Sequence, residues 1–159
     1  MSEPPERGRH LLVVHHSRTG TTATLRDAVL EGAATAGAAV SVRSLGAFDA
    51  AAEDVWWAEA IVLCTPANFG YMSGALKDFF ERIYHLSLDR TAGLPYALVV
   101  KGDTDTAGAV ASVERIATGL RWRLMAEPVV VVGAVTDADL AAAWELGATV
   151  AASLEAGIV

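Results

Sequence analysis

The chain has 159 residues, 53% hydrophobic and 19% charged, with a formal net charge of -7. It is long enough to bury one sizeable core, too apolar for disorder and too acidic for a nucleic-acid binder. No apolar run approaches the ~18–20 residues of a membrane span, and the single cysteine, Cys64, excludes an internal disulfide and a cysteine metal cluster.

Residues 1–9, "MSEPPERGR", mix acids, bases and two prolines and read as a flexible N-terminal tail. The following "LLVV" is too short for a signal-peptide core, which makes a cytoplasmic protein the expectation, with residues 10–159 as a single domain. Apolar runs rich in Val, Leu and Ile recur at His10–His15, Val40–Leu45, Ala60–Cys64, Tyr96–Val100 and Val129–Val135. They are continuous rather than alternating, the mark of strands covered on both faces and hence of a parallel sheet.

Helical patterns fill the intervals. Small residues dominate from Thr22 to Ala36, a short helix is expected within Ala47–Trp57, and Leu76, Phe79, Phe80, Ile83 and Tyr84 form one apolar helix face. Val110, Val113, Ile116, Ala117 and Leu120 repeat that spacing. So do Leu140, Ala143, Trp144, Gly147, Val150 and Leu154, behind a capping-box-like "TDAD" at Thr136–Asp139. The order βαβαβαβαβα predicts an α/β layered domain with right-handed crossovers, compatible with the doubly wound strand order 2-1-3-4-5.

In such a sheet the ligand crevice lies beyond the carboxyl ends of the strands, where the order reverses. The loops after strands one, three and four read "SRTGTT", "TPANFGYMSG" and "KGDTDTAG", whereas the loop after strand two, "LGAFDA", is poorer in polar groups. The first of them opens a helix, whose free N–H groups and dipole attract anions, and it offers hydroxyls around Gly20. A phosphate monoester is the natural guest; the alternative is that Ser17, Thr19 and Thr22 are ordinary helix caps.

Other phosphate chemistries lack their residues. There is no Walker lysine and no G-x-G-x-x-G. The acids of a phospho-accepting receiver domain are replaced by His15, His16 and Cys64–Pro66, and Gly70 stands where a cysteine phosphatase built on Cys64 needs arginine.

"SRTGTT" resembles the phosphate loop of flavodoxin-like FMN proteins, of the form Ser/Thr-x-Thr-Gly-x-Thr, and "TPANFGYMSGALKDFFERI" resembles the second flavin loop and following helix of flavodoxin-fold NAD(P)H-dependent oxidoreductases of the quinone reductase and FMN reductase type. The likeness runs from His10 to about Val132. It implies a flavodoxin-like three-layer sandwich, with a five-stranded parallel sheet of order 2-1-3-4-5 between helices. It also implies FMN as cofactor and NADH or NADPH as electron donor. Carried over residue by residue, it assigns the FMN phosphate to Ser17, Arg18, Thr19, Gly20, Thr21 and Thr22. The isoalloxazine falls to Pro66, Ala67, Asn68, Phe69, Gly70 and Tyr71, with Phe69 or Tyr71 stacking and Asn68 at the polar edge. The other reading of that segment is a turn closed by Gly70 and capped by Ser73.

The third loop departs from the family pattern, which carries more glycine or an aromatic residue. Lys101, Gly102, Asp103 and Thr104, with Asp105 and Thr106, are candidates for the flavin edge. Lys101 reads equally as a cation near N1 and the C2 carbonyl or as a solvated strand-end residue. Outside the loops, His15 and His16 have no companions at metal-ligand spacing, and Trp56, Trp57, Trp122 and Trp144 read as packing or interface residues. Cys64 reads as buried and inert, with a minor redox option.

The leading functional expectation is an NAD(P)H-dependent FMN oxidoreductase that passes hydride through flavin N5 to a quinone or other small acceptor, with no catalytic side chain and no metal. The alternatives are a single-electron carrier between protein partners, to which an acidic surface is suited, and a flavodoxin-fold binding module without flavin. Relatives of the oxidoreductase type often complete the flavin pocket with a neighbouring chain, so a homo-oligomer is among the expected states.

Overall fold

The computed structural model describes residues 9–159; the expected tail lies outside the described residues except for Arg9, which is the first residue of β1. In chain order the elements are β1 (Arg9–His15), α1 (Thr21–Ala36), β2 (Val40–Gly46), α2 (Ala52–Trp57), β3 (Ala60–Asn68) and β4 (Tyr71–Met72). They continue with α3 (Gly74–Ser87), β5 (Pro95–Gly102), α4 (Ala107–Gly119), β6 (Arg123–Leu124), β7 (Val129–Val132) and α5 (Asp137–Ala156). The long strands lie parallel in the order β2-β1-β3-β5, with β6 and β7 together filling the outer position beside β5. The expected doubly wound order therefore holds, with seven strands in place of five.

Both extra strands have local causes. β6 pairs with Pro95–Tyr96 and β7 with Val99–Gly102, so the fifth strand is one line interrupted at residues 125–128, where Pro128 lacks an N–H to donate. β7 ends at Val132 rather than Val135 because Gly133 turns the chain at φ 80°. β3 runs to Asn68, past the expected end at Cys64, because its last residues fold back on β4. Of the short helix expected within Ala47–Trp57, only Ala52–Trp57 forms.

The continuous apolar runs have the predicted reason. Along β1, Leu12 and Val14 face a core shared with α2, α3 and α4, while Leu11 and Val13 face one shared with α1 and α5. β3 and β5 divide in the same way, Leu63 and Leu98 to the first core and Val62 and Val99 to the second. Phe79, Phe80 and Ile83 of α3 are buried, each worth ~1.5–3 kcal/mol over an exposed position. On the other face, α1 and α5 cross so closely that a β-carbon on Gly32 would strike the Trp144 carbonyl and one on Gly147 the Val29 carbonyl. The small residues of α1 are there for that approach. Thr136 caps α5 as expected, accepting from Asp139 N at 3.2 Å while the Asp139 carboxylate accepts from Thr136 N at 2.9 Å.

The aromatic residues outside the loops pack. Trp57 lies between the His10 ring at 4.2 Å and the Arg43 guanidinium at 3.9 Å. Trp56 is covered by Arg90, and buried Trp122 donates to Thr91 Oγ1 at 2.9 Å. Among the described residues, no helix is long and apolar enough to cross a membrane, and no group of His, Cys, Asp and Glu is arranged to hold a metal.

Candidate functional site

β1 delivers the first loop at the carboxyl edge of the sheet, His16 N still donating to Cys64 O at 3.1 Å. The chain then turns: Gly20 N donates to Ser17 Oγ at 3.0 Å, and Gly20 adopts φ 90°, a left-handed conformation that glycine takes without strain. Gly20 is itself the N-cap of α1, no side chain caps this helix end, and its first turn holds no acid. The helix-cap reading of Ser17, Thr19 and Thr22 does not hold. Thr19 and Thr21 place their hydroxyls 3.3 Å apart, and the amino end of a 16-residue helix stays open and positive beside them.

The second loop is a β-hairpin. Asn68 pairs with Tyr71 and Ala67 with Met72, leaving Phe69 and Gly70 as the turn, at φ 52° and 70°. Two successive left-handed residues are the signature of a type I′ turn, which ordinarily takes Asn-Gly. A phenylalanine in the first position costs ~1–2 kcal/mol, and Phe69 is fully exposed, so packing does not repay the strain. Strain of this kind collects at functional sites.

Several residues hold the hairpin, and of these only Ser73 is singled out by the sequence. Buried Thr65 accepts from Ser73 N at 3.0 Å and donates to Pro66 O at 2.8 Å. Ser73 caps α3, accepting from Leu76 N at 3.1 Å, so the capped-turn reading of this segment is also true of it. Ser112 of α4 accepts from Met72 N at 3.3 Å, and Gly108 leaves α4 room to touch the Gly70 carbonyl.

The third loop begins with Lys101, opposite Pro66 in the β3–β5 register. Its side chain is only 14% exposed and its ammonium donates to Asp103 Oδ1 at 2.9 Å, so Lys101 is not a solvated strand-end residue. The Asp103 carboxylate is 93% exposed. Thr104 and Asp105 are exposed, and Asp105 lies against Gly70.

The three loops meet. Arg18, Thr19, Thr21 and Thr22 from the first, Pro66, Ala67 and Asn68 from the second, and Lys101, Gly102 and Asp103 from the third line one cleft of about 140 Å³. Ser17 and Gly20 face the opposite side of their loop, and Phe69, Gly70, Tyr71 and Thr104 stand outside the cleft. Its size is below the ~300–1,000 Å³ of a closed small-molecule pocket. The donor set suits a phosphate: hydroxyls, an open helix end and a guanidinium, with one carboxylate at the rim already paired to Lys101.

Behind the loop, His15 Nδ1 lies 3.2 Å from an Arg26 guanidinium nitrogen, which can only donate, so that ring nitrogen accepts. Burial, and then the Arg26 charge, hold the His15 pKa below its ordinary value. Cys64 is buried, which pushes its thiol up to about 12 and leaves it inert.

A doubly wound sheet of this order, with its strand-end loops gathered at the reversal between β1 and β3, defines a flavodoxin-fold protein. The model of the NADPH-dependent FMN reductase family matches residues 43–137, and the chain belongs to that flavodoxin-fold, FMN-binding family. The match contains the second and third loops, while Ser17–Thr22 precede it.

Solved structures similar to the whole chain include an archaeal flavodoxin, at 20% identity and TM-score 0.79 over 92% of this chain and 99% of that one. A flavodoxin-like WrbA-like protein from Agrobacterium tumefaciens is similar at 19% identity and TM-score 0.75, over 93% and 98% of the two chains. At such identities the likeness is one of fold. A curated flavodoxin from Aquifex aeolicus (strain VF5) is 34% identical over 73 residues, 46% of this chain and 39% of that protein.

Proposed function

We propose that the chain is an NAD(P)H-dependent FMN oxidoreductase that reduces a quinone or another small acceptor in the cytoplasm, with residues 10–159 acting as one domain. The observation that carries this reading is the convergence of three strand-end loops on one cleft beside the uncapped amino end of α1. FMN, when bound, supplies a flavin N5 that accepts hydride from a nicotinamide and passes it on.

The remaining work belongs to the chain. Thr19, Thr21, Thr22 and the first amides of α1 hold the phosphate, with Arg18 at the mouth. Asn68 and the main chain of the hairpin address the polar edge of the isoalloxazine, and Phe69 and Tyr71 offer flat apolar faces to its rings. Lys101 supplies a cation at the flavin edge, tethered by Asp103. Hydride transfer requires no acid or base from these residues.

Addition of FMN to the purified protein, followed by anaerobic titration with NADPH and NADH at the flavin absorbance band, tests the reading. Tight binding and rapid bleaching are expected; a protein that ignores FMN overturns it. The carrier reading has the Aquifex flavodoxin relative and the charge of -7 in its favour. A protein that stays yellow with both nucleotides, yet is photoreduced in two separate one-electron stages, is the carrier.

A further inference from the structure

The phosphate loop has a second concave face. Ser17 and Gly20 turn away from the cofactor cleft and line a groove of about 370 Å³ with His15, His16, Arg26 and the loop after β2. That volume lies within the range of small-molecule sites. Its mouth is aromatic: Phe48 is 63% exposed, and the His16 ring meets it edge-on, centroids 6.0 Å apart and planes at 81°. Together the rings make a corner, with one flat wall and one polar edge.

The loop that presents Phe48 is pinned. Ala47 N donates to His15 O at 2.8 Å, while Asp49 N and Ala50 N donate to Gly46 O at 2.9 and 3.0 Å. From α3, the Arg82 guanidinium reaches across to donate to the carbonyls of Ala47 at 2.6 Å and Ala50 at 2.7 Å. A large apolar ring is thus held out to solvent by a fixed backbone, beside an exposed carboxylate, Asp49, just beyond the end of β2.

We propose that this groove binds the adenosine half of a nicotinamide dinucleotide. The adenine ring stacks on Phe48 beside His16, and Asp49 accepts from the ribose hydroxyls. The inference rests on the reading of the protein as an NAD(P)H-dependent oxidoreductase. Topology supports the placement: in doubly wound dinucleotide sites an acid near the end of the second strand takes the ribose, beside the first βα loop. Here β1 and β2 are neighbours, and Asp49 and the first loop line the same groove. With no glycine fingerprint at α1, the helix end is left to the flavin phosphate, and the adenosine sits on the far side of the same loop.

Calorimetric titration of the FMN-loaded protein with 5′-AMP tests this. Saturable binding is expected, weakened about tenfold in Phe48→Ala, the loss of one base–aromatic stack. Asp49→Asn weakens it too, and FMN affinity is unchanged in both variants. The exposed position of Phe48 keeps the fold intact, which circular dichroism verifies. Absence of 5′-AMP binding at millimolar concentration, or equal affinity in Phe48→Ala, overturns the proposal while leaving the flavin site standing. Failure of the parent protein to bind FMN overturns the flavin reading instead, and with it the assignment of this groove to a dinucleotide.

Discussion

Gly108, in the first turn of α4, lies against the carbonyl of Gly70, so close that no β-carbon fits between them. The contact fastens the hairpin turn to a helix that starts just after the third loop. Gly108→Ala should therefore destabilise the protein by about 1–3 kcal/mol in urea unfolding, as overpacking does against rigid backbone, and loosen flavin binding with it. Gly74 makes the control. It opens α3 with nothing near its would-be β-carbon, so Gly74→Ala should stabilise by up to ~1 kcal/mol. Equal effects of the two substitutions would refute the close approach.

Thr19→Ala combined with Thr22→Ala removes two hydroxyls from the phosphate side of the cleft. Each hydrogen bond to a charged group is worth ~1.5–3 kcal/mol, so FMN affinity should fall by at least a hundredfold, measured by quenching of flavin fluorescence. The melting temperature of the FMN-free protein should change little. Unchanged affinity removes the phosphate from this loop.

What the sequence disclosed and withheld follows from range. The strands were legible because Leu11–Val14, Ala60–Cys64 and Tyr96–Val100 are apolar on both faces, a local property with one explanation. The converging loops were legible through topology, which puts the loops after β1, β3 and β5 at one edge. Hidden were features set by pairings and contacts that periodicity does not report, some local and some, such as Ser112 on Met72, far along the chain. Extension of β3 to Asn68 depends on β4, the interruption of the fifth strand on Pro128, and the hairpin's anchorage on Thr65 and Ser112. Lys101 was ambiguous for the same reason, since only the fold shows how little of its side chain reaches water.

His15 gives the protein an acid-sensitive element. Its folded pKa lies below the ordinary histidine value of 6.5, chiefly through burial and then through Arg26. In the window below that value the unfolded chain binds the proton more readily than the folded one, so stability rises with pH there. The contribution is complete above pH 6.5 and is lost as pH falls through the folded pKa. His15→Gln, which keeps an acceptor for Arg26, should flatten the dependence of unfolding free energy on pH in that window. A variant whose profile runs parallel to the parent's would show that His15 is not the group responsible.

Phe69 sets stability against function. Asparagine suits the first position of a type I′ turn far better than phenylalanine, so Phe69→Asn should gain about 1 kcal/mol in thermal or urea unfolding. If the ring faces the isoalloxazine, the same variant should bind FMN more weakly and shift the flavin's midpoint potential, read by equilibration with a reference dye. Gain of stability without change in either property would make the strain a structural accident.

Arg82 ties two parts of the molecule that are far apart in sequence. Its guanidinium donates to the carbonyls of Ala47 and Ala50 while pairing with Asp78 at 2.7 Å, so one side chain on α3 fixes the loop that carries Phe48 and Asp49. The Asp78 pair is half-exposed and contributes little; the two carbonyl bonds are the substance of the interaction, at ~1.5–3 kcal/mol each for a charged donor. Arg82→Met keeps the apolar stem and removes both. Because the Arg82 side chain is 37% exposed, water recovers part of that sum; stability should drop by about 2–4 kcal/mol, and the amides of residues 46–51 should exchange hydrogen faster while those of β3 and β5 stay protected. Uniform acceleration throughout the sheet would instead mean that Arg82 supports the fold as a whole, not the presentation of Phe48.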